Sequence, residues 1–545
     1  MKSTSDAIDA LLPSEPELSA RTREANLERM RLRTFDIAVI GGGITGAGIA
    51  LDAASRGLSA ALVEKNDFAS GTSSRSSKLI HGGLRYLEQR RFSLVREALR
   101  ERASLMKLAP HLARPLGFIV PLYEKDRPSP LGSNRLKLGL GLSLYDLLAR
   151  GSNIKRHSWL DAEQVGKAAP LLDQDHLRGA FLYYDCLTDD ARLVIEVIKT
   201  AAAYGAIVAN YAAVESFEKS GRRLTGLNVK DRLTGNTFTL RARLIINASG
   251  VWSDQVSSLA EGHDVKRLQP SKGIHLVLPA DKFRCERAVL IPSRGEQRFL
   301  FVIPWHGRTI VGTTDTAYTG EIDNPRAEAN EIARVLESAA VMFPEARLST
   351  HDVISAFAGL RPLIGSDASQ TSDLSRESAI IESRSGLISL IGGKLTTYRH
   401  MAEQVVNLAA KNLARNFGVV PAARSSRTEQ ISLTGEAPRL ADLTDDAKSF
   451  GVAEETVAHL MNTYGGRYRE VLRIAATGTL KRPLSSSLSH IEAEAVYAAR
   501  REMAVRVEDF LNRRTRIALL TRNRGAECAA AVGELLGVSD LSPIS

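Results

Sequence analysis

The feature that most limits the fold is a glycine-rich turn placed between a buried strand and a helix, close to the N-terminus. Residues 35–40 (FDIAVI) read as a strand, and Gly41-Gly-Gly-Ile-Thr-Gly46 follows at once. Residues 44–56 then show a helical pattern, and a second apolar strand at 59–63 ends at Glu64. This order predicts a βαβ unit of the Rossmann type.

The glycines of this turn and the acidic residue suit a dinucleotide. Gly41 permits the tight turn, Gly43 lets a pyrophosphate approach the backbone, and Gly46 lets helix and strand pack closely. The helix N-terminus attracts the pyrophosphate, and Glu64 can accept hydrogen bonds from ribose hydroxyls. An acidic residue at this position disfavours a 2′-phosphate, which argues against NADP. A glycine turn without a ligand is the alternative, and the surrounding strand–turn–helix order makes it the weaker one.

A hydroxyl-rich stretch follows the second strand. Residues 66–78 contain Thr72, Ser73, Ser77 and Lys78, which offer hydrogen-bonding groups to a long, extended cofactor. Taken alone, such a stretch is more typical of a solvated surface loop. Residues 79–87 (LIHGGLRYL) come next, and their paired glycines beside a histidine and an arginine favour close approach of the backbone to a flat ligand.

These segments together resemble the FAD-dependent glycerol-3-phosphate dehydrogenases, which belong to the glycine/D-amino-acid oxidase-like flavoproteins. Residues 35–88 carry the first group of matching motifs. Only about the first 20 residues and the extreme C-terminus lie outside the similarity. It continues through motifs that stand in order along the chain: YDCLTDDARL at 184–193, INASGVW at 246–252, FVIPW at 301–305, VGTTD at 311–315, GLRPL at 359–363, GGKLTTYR at 392–399 and EAEAVYAARREMAVRVEDFLNRRTR at 492–516.

The resemblance implies FAD as cofactor and glycerol 3-phosphate as substrate. It places five residues around the substrate and the flavin ring: His81, Arg85, Tyr86, Arg361 and Lys394. It also adds Gly250, Gly393, Leu395 and Thr396 to the expected cofactor site. The chemistry agrees, because guanidinium and ammonium groups recognise a phosphate dianion and a neutral histidine can take a hydroxyl proton. His81 is our first choice as the general base, and Arg361 or Lys394 is the alternative group for stabilising a developing alkoxide.

Three regions are predicted: an N-terminal arm at 1–34, interleaved FAD-binding and substrate domains at 35–425, and an all-α C-terminal domain at 435–545. The fold class is α/β (α+β), with a Rossmann-type FAD domain and a mostly antiparallel substrate sheet. We expect that sheet mainly at 180–240 and 265–380. A meander of strands is predicted at 214–247, four strands at 274–313, and a long helix at about 396–416.

The composition leaves several partners open. The 545 residues carry a net charge of +10, which suits nucleic acid, anionic lipid or phosphorylated substrates. No nucleic-acid motif appears, and no run of apolar residues is long enough for a transmembrane helix. Residues 135–148 (RLKLGLGLSLYDLL) are apolar with basic flanks, which favours monotopic attachment to a membrane surface, although a buried helix fits the pattern as well. The respiratory members of the resembled family pass electrons to quinone at the membrane surface, so the resemblance favours attachment over the buried helix. It implies quinone as electron acceptor and a cytoplasmic location at the inner face of the cytoplasmic membrane, with a homodimer left open.

The three cysteines, Cys186, Cys285 and Cys528, are far apart and form no CxxC pair, so no metal site is predicted. Three rival functions remain. A glycerol-3-phosphate oxidase would share flavin and substrate site but reduce oxygen to hydrogen peroxide. An RNA-modifying or non-enzymatic flavoprotein is suggested by the basic composition. NAD-linked dehydrogenation would give a colourless protein.

Overall fold

The computed structural model describes residues 17–124, 129–132, 134–294, 298–365, 378–433, 435 and 437–537. The side chains of Arg85 and Glu88 also lie outside the described part. The first 16 residues of the predicted N-terminal arm are therefore not covered.

The strands fall into two sheets. In chain order they are β1 Thr34–Ile40, β2 Ala60–Val63, β3 Leu79–Ile80, β4 Arg114–Tyr123, β5 Ser158–Leu160, β6 Leu177–Leu187, β7 Ile207–Ala209, β8 Ala212–Ser220, β9 Arg223–Asp231, β10 Thr237–Asn247, β11 Ser271–Pro279, β12 Ala288–Pro292, β13 Phe299–Trp305, β14 Arg308–Gly312, β15 Thr316–Ala317, β16 Ser355–Arg361, β17 Ser378–Glu382 and β18 Leu387–Gly392.

Helices cover the first sheet and make up most of the C-terminal region. The α-helices are α1 Ala20–Leu32, α2 Ile44–Ser55, α3 Arg85–Glu88, α4 Phe92–Leu108, α5 Arg135–Leu148, α6 Ala162–Ala168, α7 Asp190–Ala203, α8 Ser253–Glu261, α9 Ala329–Met342, α10 Tyr398–Phe417, α11 Leu443–Phe450, α12 Glu454–Tyr464, α13 Tyr468–Ala475, α14 Glu492–Arg501, α15 Val507–Asp509, α16 Ile517–Leu520 and α17 Ala529–Leu536.

The first sheet has the predicted Rossmann-type core. Strands β18, β10, β1, β2 and β7 lie side by side in parallel, and α2 follows β1 directly. Helices α2, α7 and α10 share one apolar core with this sheet. Because the strands are buried on both faces, they read in the sequence as continuous apolar runs rather than as alternating ones.

The second sheet is mostly antiparallel, as expected. Its path runs β15-β11-β14-β13-β12-β4-β6-β3, and the parallel pair β4–β12 is an exception. The four predicted strands at 274–313 correspond to β11–β14. The two sheets and the helical C-terminal part confirm the predicted fold class.

One part of the predicted sheet assignment needs correction. Residues 212–231 were expected in the substrate sheet, but β8 and β9 pair with each other and then with β10 of the first sheet. The predicted meander at 214–247 is confirmed, because β8, β9 and β10 pair antiparallel in chain order. Such a pattern does not report which larger sheet the hairpin joins, because β10 is antiparallel to β9 on one side and parallel to β1 on the other.

Helix α1 belongs to the folded body. Ser19 caps its N-terminus, and the buried Arg23 side chain donates to Asp231 and to the carbonyl oxygen of Asn210 at 2.9 Å. Met30, two turns further along the same face of the helix, is completely buried. The second half of the predicted arm is thus a packed element.

The C-terminal helices contact the sheet domains through buried ion pairs. Arg192 of α7 pairs with Glu502 at 2.7 Å, and Arg514 pairs with Asp67 at 2.7 Å. Removing one member of such a pair would leave an uncompensated buried charge, so these contacts make the relative placement of the domains specific. None of the described helices combines the length and hydropathy needed to cross a bilayer. Cys186, Cys285 and Cys528 are all free thiols.

Candidate active site

The glycine turn after β1 depends on the absence of side chains. Gly41 has a φ of +112°, and a Cβ there would lie 2.6 Å from the carbonyl oxygen of Ala248. A Cβ on Gly46 would lie 1.9 Å from the carbonyl oxygen of Gly41. The two positions therefore serve the tight turn and the close helix–strand packing predicted for them.

Glu64 lies where β2 ends, and its carboxylate closes the same turn. One oxygen accepts from the Gly42 amide at 2.7 Å, and the other accepts from the Asn66 amide at 2.8 Å. Burial raises the pKa of the Glu64 carboxyl, and these two backbone hydrogen bonds act against that rise. The side chain also lines the cavity beside the turn.

This cavity of about 280 Å³ extends from the end of β2 to the turn before α10. Eight of the residues predicted for the cofactor line it: Gly41, Gly43, Glu64, Thr72, Ser73, Gly250, Gly393 and Leu395. They come from five separate segments, so the turn, the hydroxyl-rich stretch and the 392–395 loop meet at one cleft. We call it the cofactor cleft.

The other four predicted cofactor residues, Gly46, Ser77, Lys78 and Thr396, are not among the residues that line the cofactor cleft. Gly46 faces the turn, and the Ser77 hydroxyl is 2.8 Å from His275 Nε2. Lys78 is completely buried and bonds Asp190 at 2.8 Å, and its burial lowers the pKa of the ammonium to about 8. The Thr396 hydroxyl accepts from the His81 amide at 3.1 Å. These contacts position the segment that carries the cleft residues.

A second cavity, of about 780 Å³, adjoins the cofactor cleft. Four predicted catalytic residues line it: His81, Tyr86, Arg361 and Lys394. The side chain of Arg85, the fifth, lies outside the described part. Both cavities share Thr72, Pro362, Gly393 and Lys394, so a group held at the end of the cleft would face the second cavity. We call the second one the substrate cavity.

Lys394 and Tyr86 form one contact pair in this cavity. The Lys394 Nζ lies 3.5 Å from the centroid of the Tyr86 ring, a cation–π contact. Gly392 and Gly393, with φ of +74° and +89°, turn the chain just before Lys394. Residues 395–397 form a 3₁₀ turn that leads into α10, so the predicted long helix is present and begins at Tyr398.

Arg361 is held by a network of acceptors. Its Nη1 donates to Asp315 at 3.0 Å and to the Ser271 hydroxyl at 3.3 Å, and its Nη2 donates to Thr313 at 3.0 Å. Arg298 pairs with the same Asp315 carboxylate from the other side. The described lining of the cavity thus contains three cations, Arg298, Arg361 and Lys394, and one carboxylate, Asp315, which pairs with the two arginines.

Arg298 was missed by the sequence reasoning. Its signal is weak, because it precedes β13 with nothing around it that distinguishes it from a surface arginine. Asp315 stands in the VGTTD motif, but only the structure shows that it connects two guanidinium groups.

Comparison with known proteins supports these observations. The model of the FAD dependent oxidoreductase family matches residues 36–399, and that of the C-terminal domain of alpha-glycerophosphate oxidase matches residues 426–539. Glycerol-3-phosphate dehydrogenase 2 of Mycobacterium tuberculosis is 38% identical over 526 residues, which cover 95% of this chain and 87% of the relative. Aerobic glycerol-3-phosphate dehydrogenase of Staphylococcus aureus is 37% identical over 510 residues, 91% of this chain and 89% of the relative.

A solved structure agrees over almost the whole length. The glycerol-3-phosphate dehydrogenase from Bacillus halodurans, complexed with FAD, superposes with a TM-score of 0.75 at 32% identity, covering 97% of this chain and 99% of that one. The chain belongs to the FAD-dependent glycerol-3-phosphate dehydrogenase family. FAD is accordingly its cofactor, and the NAD-linked alternative is set aside.

A further set of residues, also missed from the sequence, supports the His81 segment of this flavoprotein. The Gly82 amide donates to the Tyr145 hydroxyl at 3.0 Å, and that hydroxyl donates to Asp185 at 2.8 Å. Arg102 donates to the same carboxylate at 2.6 Å. A Cβ on Gly82 would lie 2.4 Å from the Tyr145 hydroxyl oxygen, so the glycine is required by the close approach of this network.

Proposed function

We propose that the protein oxidises sn-glycerol 3-phosphate to dihydroxyacetone phosphate and passes the electrons to quinone. This proposal rests on one observation: the cofactor cleft and the substrate cavity share a boundary, and Thr72 and Lys394 line both. The names of the relatives supply the substrate, and the charge of the cavity supports it.

The cofactor cleft suits FAD because its glycine turn leaves no side chain between the backbone and a ligand. In our proposal, the turn at Gly41–Gly46 and the N-terminus of α2 hold the pyrophosphate. Glu64 would hold the ribose, because each oxygen of its carboxylate can accept a further hydrogen bond beside the one from the backbone. Thr72, Ser73, Gly250, Gly393 and Leu395 line the remainder of the cleft.

The phosphate of the substrate would be bound by the cations of the substrate cavity. Arg361 and Arg298 share the Asp315 carboxylate, and Lys394 adds a third positive charge to the described lining of the cavity, which supports binding of a dianion. The described hydrogen bonds of Arg361 engage both terminal nitrogens. Phosphate binding by Arg361 therefore requires it to exchange a contact with Asp315 or Thr313 for one with the ligand.

His81 is proposed as the general base. The reaction removes a hydride from C2 of the substrate and a proton from its hydroxyl, and FAD, when bound, supplies the hydride acceptor. The His81 imidazole lines the cavity, and its backbone is fixed by Thr396 and by the hydrogen bonds of neighbouring Gly82. A neutral imidazole can take the hydroxyl proton, and the Lys394 charge can stabilise the developing alkoxide.

Helix α5 supports attachment to a membrane surface, at the inner face of the cytoplasmic membrane. Leu138, Leu142 and Tyr145 are buried, whereas Leu136, Leu140 and Leu147 are 74%, 63% and 72% exposed. Arg135 and Lys137 add positive charge at the helix start, which suits an anionic bilayer. Residues 130–132, which line the substrate cavity, precede this helix, so docking there would bring the site close to lipid-dissolved quinone.

The substrate and the acceptor are tested by anaerobic mixing of the purified yellow protein with glycerol 3-phosphate. Bleaching of the flavin that a quinone analogue restores quickly and air only slowly is the expected result. Rapid recovery in air would make the protein an oxidase that releases hydrogen peroxide. No bleaching would contradict the assigned substrate.

Membrane attachment is tested by flotation with phosphatidylglycerol vesicles. We expect the wild type to float and the double variant Leu136→Ser, Leu140→Ser to stay at the bottom. Val341→Ser is the matched control, because Val341 is an exposed apolar residue too but lies on α9. Equal flotation of all three proteins would remove α5 from the membrane contact.

A further inference from the structure

Three metal-type ligands converge inside the C-terminal domain, away from both cavities. His459 lies on α12, His490 stands just before α14, and Glu494 is in the first turn of α14. One ligand atom from each lies within 4.8 Å of the others. Cysteine spacing, on which the prediction of no metal rested, could not reveal such a set.

The three side chains meet at one carboxylate oxygen. Glu494 Oε2 lies 3.0 Å from His459 Nε2 and 3.2 Å from His490 Nδ1. Zinc bonds histidine nitrogen and carboxylate oxygen at about 2.0–2.2 Å, so neighbouring ligand atoms in a tetrahedral site are roughly 3.3 Å apart. These two separations are close to that value, and the two imidazole nitrogens lie within 4.8 Å of each other, so the side chains must close around the ion to bind it.

The buried negative charge of Glu494 also favours binding of a cation. The residue is completely buried, and its described hydrogen bonds come from the two imidazoles, the Tyr464 hydroxyl and the Ile491 amide. None of these described partners is a lysine or an arginine. These four donors stabilise the buried carboxylate, and a bound divalent ion would add the permanent positive charge that its described partners lack.

The surroundings resemble the outer shell of a metal site. Tyr464 donates to the carboxylate at 3.0 Å and the Ile491 amide donates to its other oxygen at 2.9 Å, which fixes its orientation. Thr463 lies 3.5 Å from His459 Nδ1, the nitrogen that would not face the metal. Partners of this kind set the tautomer and direction of ligating side chains.

We propose that His459, His490 and Glu494 form a binding site for a divalent transition metal, with Zn²⁺ the best fit. Two imidazoles and one carboxylate are a known zinc ligand set that leaves a fourth position for water. The site joins α12 to the start of α14, two helices of the same buried cluster. Its role is to stabilise the C-terminal domain, because a metal that binds only the folded state raises its stability.

The first test is metal binding by the chelator-treated, FAD-loaded protein. Equilibrium dialysis against Zn²⁺ should give one ion per chain, and Co²⁺ should give the visible d–d absorption bands of a tetrahedral site. His459→Gln and His490→Gln should each abolish this stoichiometric binding. His263→Gln, an exposed control, should leave it unchanged. No stoichiometric binding by the wild type, or binding unchanged in both variants, would overturn the proposal and leave a hydrogen-bonded cluster.

A second measurement covers the case in which a variant fails to fold. The melting temperature of the wild type is compared with Zn²⁺ and with excess chelator. A higher Tm with Zn²⁺ that His263→Gln retains supports the site. An equal Tm in the two conditions contradicts it without the need for any ligand variant.

Discussion

The cofactor cleft takes its shape from backbone, whereas the substrate cavity takes its character from side chains that come from distant segments. At the glycine turn that borders the cleft, Gly41 and Gly46 have backbone atoms within 3 Å of where a Cβ would stand. In the cavity, Arg298, Asp315 and Arg361 depend on one another's charge. A change in the cleft should therefore remove the cofactor altogether, and a change in the cavity should alter individual kinetic constants while FAD stays bound.

The largest effect is expected from Gly46→Ala. The new methyl group would lie 1.9 Å from the Gly41 carbonyl oxygen, so the turn must move and most of the bound FAD should be lost. The ratio of flavin to protein absorbance measures this. Gly141→Ala is the matched control, because Gly141 is also helical and has nothing within 4 Å of its Cβ position. Full flavin content in both variants would contradict the dependence of FAD binding on the backbone of the glycine turn.

His81→Ala should lower the rate of flavin reduction by about a hundredfold or more, since a general base typically contributes that much. The flavin content should stay that of the wild type. Anaerobic stopped-flow mixing with glycerol 3-phosphate gives the rate, and His351→Ala, an exposed histidine, is the control. A near-normal rate would transfer the role of base to another group.

Arg361→Ala should raise the KM for glycerol 3-phosphate roughly 10- to 100-fold, the loss expected for a hydrogen bond to a charged group. FAD should remain bound, because Arg361 does not line the cofactor cleft. Steady-state kinetics with a quinone analogue measures the change. Arg294→Ala, which removes an exposed arginine paired with Glu337, should leave KM unaltered. An unchanged KM in Arg361→Ala would exclude Arg361 from the phosphate site.

The smallest effect is expected from Tyr145→Phe, which weakens the support of the His81 segment without touching either cavity. Loss of the hydroxyl that bonds Gly82 and Asp185 should cost about 1 kcal/mol and lower flavin reduction several-fold. Tyr123→Phe is the matched control. Tyr123 is buried at the end of β4, and its hydroxyl donates to the Asp173 carbonyl oxygen at 2.7 Å. It should reduce Tm but not the rate. Equal rates in the two variants would show that the network is structural only.

Features that depend on neighbouring residues could be predicted from the amino-acid sequence. The strand–turn–helix order, the four strands at 274–313 and the helix that follows Lys394 could be predicted, because hydrophobic period and glycine position report neighbouring residues. The resemblance to a family added His81, Tyr86, Arg361 and Lys394, which the structure brings to one cavity. The roles assigned to them stay predictions.

Contacts between segments that are distant in the sequence became known from the folded structure alone. The structure shows that β8 and β9 belong to the first sheet. It also shows that Lys78 forms an ion pair with Asp190 outside the cofactor cleft and that Arg298 pairs with Asp315. It also brought His459 to Glu494, which lie 35 positions apart. A buried ion pair or ligand set requires only that two side chains meet in space. Nothing in the spacing of their residues records that meeting, whereas a turn or a helix is recorded in consecutive residues.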